Sequence, residues 1–163
     1  MREILELLER DARLTPEQIA GMTGLPVQQI TSRIADWENT GVIRRYKAVV
    51  DWDKVAEETG EDVVSAFIDV SVHPARGTGF DDVAARISRF SEVRAVYLVS
   101  GTDDVRCTVV GRNIRKVAEF VAQKLSTIDR VQGTVTHFVL KTYKRDGDSF
   151  LEPDADHRLP VAP

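Results

Sequence analysis

Five polar side chains between positions 28 and 33 could recognise the edges of nucleic-acid bases. A glutamine amide can form two hydrogen bonds to adenine, an arginine guanidinium can do the same with guanine, and serine or threonine can bond to bases or phosphates. Three cations that follow shortly afterwards could bind the phosphates of double-stranded DNA. The first set is Gln28, Gln29, Thr31, Ser32 and Arg33, and the second is Arg44, Arg45 and Lys47.

The alternative interpretation is that these residues form an ordinary solvent-exposed helix face. The predicted elements around them distinguish a DNA-reading helix from this alternative. Residues 25 to 43 contain one Arg, no Lys and two acidic side chains. The domain that contains this segment, residues 1–50, is neutral overall and would attract DNA weakly, so we expect binding to depend on several copies of the chain acting together. Much of the phosphate-binding charge would come from the basic segment at 44–47.

Two helices are predicted ahead of this region. The first has an apolar side and ends near Asp11. The second starts with a threonine that can cap it, a proline suited to its first position, and a glutamine that can complete a capping box. These residues are Thr15, Pro16 and Gln18.

A third helix follows a tight turn at Gly24 and ends at Gly41. Residues 42–51 alternate in a way that predicts a strand. Three helices followed by a strand indicate a winged helix-turn-helix. The residues of the third helix expected to face inward are Val27, Ile30, Ile34 and Trp37.

The second part of the chain predicts an α+β fold with the order strand, helix, strand, strand, helix, strand. This order indicates a ferredoxin-like βαββαβ sandwich, whose sheet has helices on one face only. The six predicted elements are 63–73, 79–90, 93–101, 104–112, 113–128 and 131–144. The helix residues expected to face inward are Val83, Ile87, Phe90, Ile114, Val117, Phe120, Val121 and Leu125.

These patterns divide the chain into residues 1–50, a polar linker or short helical connector at 51–62, a sandwich at 63–145, and an acidic, flexible tail at 146–163. The first fifty residues carry seven basic and seven acidic side chains, so the whole deficit of charge lies beyond them. The uncovered face of the sheet needs a partner, and a homodimer is the simplest one.

Composition excludes several classes of function. The chain has 163 residues, 42% of them hydrophobic, and a net charge of -4, which argues against a protein that coats nucleic acid indiscriminately. Cys107 is the only cysteine, so we predict no disulfide, no zinc site and no cofactor, and we expect Cys107 to be a buried small residue. Without a membrane-spanning run or a signal peptide, the protein is expected in the cytoplasm.

Three segments together resemble the Lrp/AsnC transcription regulators: ADWENTGVIRRYKAVVD at the junction, VYLVSGTDD at a strand turn, and VQGTVTHFVL near the end. The resemblance covers roughly residues 2 to 145. It implies a DNA-binding regulator whose C-terminal domain dimerises, whose dimers commonly assemble into octamers, and whose effector is an amino acid bound between subunits.

The resemblance also implies where an effector would bind. The Gly-x-x-Asp turn of the family falls on Gly101 and Asp104, and its Thr-x-Thr strand falls on Thr134 and Thr136. A carboxylate can hold an α-ammonium group, and N–H groups of a turn can hold a carboxylate. The alternative is that Gly101 makes the turn and Asp104 caps it. The expected site comprises Ser100, Gly101, Thr102, Asp103, Asp104, Thr134 and Thr136.

This chain departs from the family at three positions. Asp103 replaces a usual aromatic residue and favours a cationic ligand or none. Pro26 replaces the usual polar cap of the third helix, and Ser32 stands where a second arginine is common. Two other functions are compatible with this architecture: a sirohaem-decarboxylase-like enzyme, and an architectural DNA-binding protein without an effector.

Overall fold

A computed structural model describes residues 1–74 and 79–151. The chain divides into two compact units, Met1–Val50 and a second unit that begins at Asp51. The first unit contains α1 (Arg2–Arg10), α2 (Pro16–Thr23) and α3 (Val27–Thr40). The second contains α4 (Trp52–Thr59), β1 (Val64–Val72), α5 (Asp81–Ile87), β2 (Val93–Leu98), β3 (Val105–Gly111), α6 (Ile114–Phe120) with a π-helical turn (Val121–Leu125), β4 (Val131–Phe138), β5 (Lys144–Arg145) and β6 (Asp148–Ser149).

The start of α2 confirms the predicted capping box. The Thr15 hydroxyl accepts a hydrogen bond from the backbone N–H of Gln18 at 3.3 Å, and the Gln18 side chain accepts one from the backbone N–H of Thr15 at 2.8 Å. Both bonds satisfy N–H groups that a helix start leaves without partners. The sequence signal is local, so the helix begins where it was predicted.

The turn and the end of α3 also follow the prediction. Gly24 has φ 71° and Gly41 has φ 74°, a left-handed conformation that glycine adopts without a steric cost. Beyond Gly41 the chain folds back, and the N–H of Ile43 donates to the carbonyl of Trp37 at 3.0 Å. Two glycines therefore set the length of α3 and the direction in which the chain enters and leaves it.

Helix α3 packs through a narrower stripe than predicted. Ile30 is fully buried with Ile4, Leu8 and Ile19, and Ile34 and Trp37 pack against this cluster. The prediction was wrong for Val27, whose side chain is 38% exposed. Val27 is the first residue of the helix and lies about 60° around the axis from Ile30, so it is at the edge of the stripe and at its end.

The strand predicted at 42–51 is also wrong. These residues form no ladder with any segment of the described chain, and residue 51 instead caps the next helix. A strand requires a hydrogen-bonded neighbour, and alternation of apolar residues does not supply one. The polar segment that follows contains α4, so the helical connector of the two predicted alternatives is the one observed.

The second unit has the predicted ferredoxin-like topology. Its antiparallel sheet has the order β2-β3-β1-β4, and α5 and α6 cover one face. The core lies between this face and the helices. It consists of Ala66, Ile68, Val70, Val72, Val83, Ile87, Val105, Cys107, Val109, Val117, Phe120, Leu125 and Ile128.

Three details of this unit differ from the prediction. Ile114 is 59% exposed because it opens α6 beside the Asn113 cap and lies outside the packed turns. Strand β4 ends at Phe138, earlier than predicted, and one further hydrogen bond, from the N–H of Val139 to the carbonyl of Ser65 at 2.9 Å, continues the pairing with β1. The predicted tail is ordered at its start, because β5 and β6 form a hairpin; residues 152–163 lie outside the described residues.

Membrane spans and metal clusters are both absent from the described residues. No helix in residues 1–74 and 79–151 is long and apolar enough to cross a bilayer. Within the same ranges, no group of three or more His, Cys, Asp or Glu side chains is arranged to hold a metal ion. Cys107 is fully buried, as predicted, and desolvation together with nearby Asp69 raises the pKa of its thiol to about 11.

Candidate DNA-reading surface and ligand site

All eight predicted DNA-binding residues of the first unit are exposed. None of the side chains of Gln28, Ser32 and Arg33 forms a hydrogen bond or ion pair within the part of the chain that the structure describes. The Thr31 hydroxyl donates to the carbonyl of Val27 at 3.0 Å and keeps its lone pairs for an outside donor. Polar groups on this side of α3 are therefore available to a partner molecule.

The start of α3 has no side-chain cap, in agreement with the presence of Pro26. The carbonyl of Pro26 accepts the N–H groups of Gln29 and Ile30 at 3.0 and 3.2 Å. The N–H groups at the first two helix positions receive no acceptor from Pro26. A helix start without a polar cap leaves such donors for water or an anion such as a phosphate.

The side chains of the basic segment after α3 differ in whether they contact other residues of the chain. The guanidinium of Arg44 lies over the end of α3, with Nη1 3.7 Å from where a Cβ at Gly41 would be. The Tyr46 hydroxyl donates to Glu38 at 3.0 Å, and burial together with this carboxylate raises the pKa of Tyr46. Arg45 and Lys47 form no ion pair among the described residues, so they are better placed to meet phosphates.

Sequence reasoning missed two exposed residues of α3, Ala35 and Asn39. At about 100° per residue, both lie within about 40° of the direction opposite Ile30, as do Gln28 and Ser32. The same helical period that identified the buried stripe would have found them. The outward row of α3 is thus longer than predicted.

In the second unit, the turn between β2 and β3 is tied to the end of β1. The Asp103 carboxylate accepts a hydrogen bond from the Ser71 hydroxyl at 2.7 Å, and the Asp104 carboxylate accepts one from the backbone N–H of Val72 at 2.8 Å. The backbone N–H of Asp104 also donates to the carbonyl of Val70 at 3.2 Å. The Asp104 carboxylate therefore ties the turn to the end of β1, and each of the two carboxylates retains a second oxygen.

The other predicted ligand residues are elsewhere on the sheet. Thr134 pairs with Val70 and Thr136 pairs with Ile68, and both partners are core residues, so the two threonines lie on the helix-covered face. Asp103 contacts β1 through Ser71, whose side chain lies on the uncovered face of the sheet. Strand β1 separates β3 from β4 by about 10 Å, so one chain does not bring the two sets into one pocket.

The uncovered face of the sheet has a charged centre and apolar surroundings. Asp69 is 5% exposed and accepts two hydrogen bonds from Arg106, at 2.6 and 2.8 Å. His137 Nε2 lies 3.4 Å from the same carboxylate. The Arg106 hydrogen bonds hold the pKa of Asp69 below its usual range. Exposed apolar side chains surround this group, namely Phe67, Tyr97 and Val135.

Two family models match the two units. Residues 1–44 match a winged helix-turn-helix DNA-binding model, and residues 65–148 match the Lrp/AsnC ligand binding domain. An uncharacterised HTH-type transcriptional regulator of Bacillus subtilis, YugG, is 48% identical over 161 residues, which are 99% of this chain and 95% of that protein. The chain has a DNA-binding unit followed by a ligand-binding unit.

Solved structures give the same assignment. The leucine response regulatory protein LrpA of Mycobacterium tuberculosis has a TM-score of 0.72 and 26% identity, covering 90% of this chain and 94% of its own. A feast or famine regulatory protein of M. tuberculosis complexed with L-methionine has a TM-score of 0.70 and 27% identity, covering 89% and 92%. The chain belongs to the Lrp/AsnC family, and it is a transcriptional regulator.

Proposed function

We propose that this regulator binds double-stranded DNA through α3 and the segment at 44–47, as a homodimer whose second unit responds to a small molecule. The observation that carries the proposal is the exposed, unpartnered polar side of α3 in a helix-turn-helix unit that precedes a ligand-binding fold. Phosphate contacts come from Arg44, Arg45 and Lys47, and the polar residues at 28–33 face the groove.

The dimer forms through the uncovered face of the sheet. Phe67 is 45% exposed, Val135 is 50% exposed and Tyr97 is 58% exposed, and together they give this face the apolar area that an interface needs. The Asp69–Arg106 pair lies among them. The Asp69 side chain is buried and the Arg106 side chain is half exposed, and the interface would desolvate the pair together with its hydrogen bonds. Assembly of dimers into octamers is a further part of the proposal, which rests on the family resemblance.

The effector binds near the 100–104 turn, where a neighbouring subunit completes the site. Two adjacent carboxylates, Asp103 and Asp104, make this turn acidic, and a cationic group of the effector can pair with them. Relatives that carry L-methionine in their solved structures support an amino acid as the class of ligand. A basic amino acid fits the acidic turn better than methionine does.

A thermal-shift screen of the twenty amino acids with the full chain tests the effector. Binding to the folded state alone raises stability by RT ln(1 + [L]/Kd), about 2.7 kcal/mol at a ligand concentration of 100 Kd. Asp103→Asn and Asp104→Asn remove the charge and keep an oxygen that accepts the existing hydrogen bonds. We expect both variants to lose the shift that the wild-type chain shows with a basic amino acid.

Ser71→Ala is the matched control, because it removes the hydroxyl bound to Asp103 and leaves both carboxylates charged. The Ser71→Ala variant should keep the thermal shift that the wild-type chain shows with a basic amino acid. A full shift in Asp104→Asn would place the ligand elsewhere. If no amino acid shifts the wild-type melting temperature, the protein is an effector-independent regulator.

A further inference from the structure

The outward residues of α3 point in different directions around the helix axis, so they would meet different parts of the DNA major groove. Ile30 is fully buried and defines the inward direction of the helix. At about 100° per residue, Gln28 and Ser32 lie within about 20° of the opposite direction. Gln29 and Thr31 lie on the two sides, about 100° from Ile30, and Arg33 lies only about 60° from it. The single arginine of α3 is therefore on the flank of the helix.

An α-helix with its side chains is about 10–12 Å across, and the major groove is about 12 Å wide, so a docked helix nearly fills the groove. Side chains on the outward centre meet base edges, and side chains on the flanks meet the phosphate walls. Gln28 and Ser32 are at this centre. Arg33, with its long side chain, reaches the wall on one side.

The distribution of acidic residues along α3 limits how much of the helix enters the groove. No acid lies between Val27 and Arg33, whereas Asp36 and Glu38 lie in the second half. Carboxylates are repelled by phosphates, so the second half stays further from the DNA. The first two turns therefore carry the readout, as is usual for helix-turn-helix proteins.

We propose that Gln28 and Ser32 distinguish the base pairs, that Gln28 pairs with an adenine in each half-site, and that Arg33 binds a phosphate rather than a base. This division rests on the proposed DNA-reading function. Gln28 can offer one donor and one acceptor to the N7 and N6 atoms of adenine. Its side chain has no hydrogen bond within the described chain that would have to be broken first.

Selection of the full chain against a library of randomised DNA duplexes tests this division. The wild-type protein should select a motif with an adenine at one position of each half-site. Gln28→Ala should lose the preference at that position, by about 5- to 150-fold, and keep the others. Gln28→Arg should replace the adenine by guanine, a change of preference that misfolding cannot produce.

Arg33→Ala should select the same motif as the wild-type chain and bind every duplex more weakly. The slope of log K against log salt should decrease by about 0.9 for each phosphate that the variant no longer neutralises. Gln123→Ala and Arg115→Ala are matched controls in the second unit, where both residues are exposed. Both should leave the motif and the salt dependence unchanged.

The outcomes separate this inference from the function beneath it. If the wild-type chain selects no motif, sequence-specific DNA binding fails and the division fails with it. If a motif appears and Gln28→Ala retains all of it, or Arg33→Ala loses one base preference, the division is overturned while the DNA-reading function stands.

Discussion

The exposed side of α3 and the uncovered face of the sheet use polar groups in opposite ways. On α3 the polar side chains are exposed and have few partners, so they can bond to something outside the chain. On the sheet, the Asp69 carboxylate at the centre is already satisfied by two hydrogen bonds from Arg106, and His137 and several exposed apolar side chains lie around it. This difference is the one expected if α3 binds a polar partner and the sheet face forms the proposed dimer interface, because hydrogen-bonding groups buried in an interface need partners.

A charge introduced on the sheet face should have the largest effect. Val135→Asp places a second carboxylate directly opposite Asp69 on this face, and a buried uncompensated charge costs about 3–5 kcal/mol. We expect the dissociation constant of the dimer to rise by at least about 100-fold, measured by analytical ultracentrifugation. Ile114→Asp makes the same type of change at an exposed residue outside this face and should leave the dimer intact. A Val135→Asp protein that remains dimeric at the same concentrations would show that the interface lies elsewhere.

Alanine substitutions at two glycines should change the stability of the two units in opposite directions. A Cβ at Gly111 would lie 2.9 Å from Val117 Cγ2, so Gly111→Ala should destabilise the second unit by about 1–3 kcal/mol. A Cβ at Gly21, inside α2, meets nothing within 4 Å, so Gly21→Ala should stabilise the first unit by about 0.5–1 kcal/mol. Chemical denaturation measures both changes. A Gly111→Ala chain that is as stable as the wild type would contradict the tight contact between β3 and α6.

The Asp69–Arg106 pair should make the second unit sensitive to acid. Because the pKa of Asp69 is lowered in the folded chain, its contribution to stability is present at neutral pH and is lost as the pH falls below about 4. Asp69→Asn should lower the unfolding free energy at pH 7 by about 1–3 kcal/mol and flatten its decline in acid. Asp62→Asn, at an exposed position, should change neither. Equal acid sensitivity in Asp69→Asn and the wild-type chain would count against this contribution.

The basic segment should show the smallest effects. The Arg44 guanidinium lies over the end of α3, where a cation contributes about 0.3–1 kcal/mol, so Arg44→Ala should lower the stability of the first unit by that amount. Arg45→Ala should leave stability unchanged. Both should weaken binding to specific and random DNA alike, with Arg45→Ala having the larger effect, as measured by fluorescence anisotropy at several salt concentrations. A stronger loss on specific DNA would mean that this segment reads bases.

Local signals predicted most of the fold. Thr15, Pro16 and Gln18 begin α2 because their hydrogen bonds lie within four residues, and Gly24 and Gly41 allow the left-handed turns around α3. The order of strands and helices was sufficient for the ferredoxin-like topology, because few arrangements bury one sheet face under two helices. Apart from the strand predicted at 42–51, failures occurred at the ends of elements, as with Val27 and Ile114, whose apolar side chains extend beyond the packed turns.

The candidate sites were predicted less completely than the fold. The period of α3 identified its outward side but not which residue is at its centre, because the inward direction depends on how deeply Ile30 packs between other helices. For the candidate ligand residues, the family motif pointed to Gly101, Asp104, Thr134 and Thr136, but it did not indicate on which face of the sheet the two threonines lie. The register between β1 and β4 decides that the two threonines lie on the helix-covered side.

The sequence by itself determined the charge balance of residues 1–50 and what depends on neighbours along the chain, namely the helix caps, the glycine turns and the alternation of strands. Tertiary structure alone decided that Asp69 is buried beside Arg106, that Asp104 holds the end of β1 at Val72, and that residues 42–51 have no strand partner within the described chain. The physical reason is the range of the interactions. A cap or a turn is complete within a few residues, whereas an ion pair between strands or a ladder exists only when distant segments are brought together in one register.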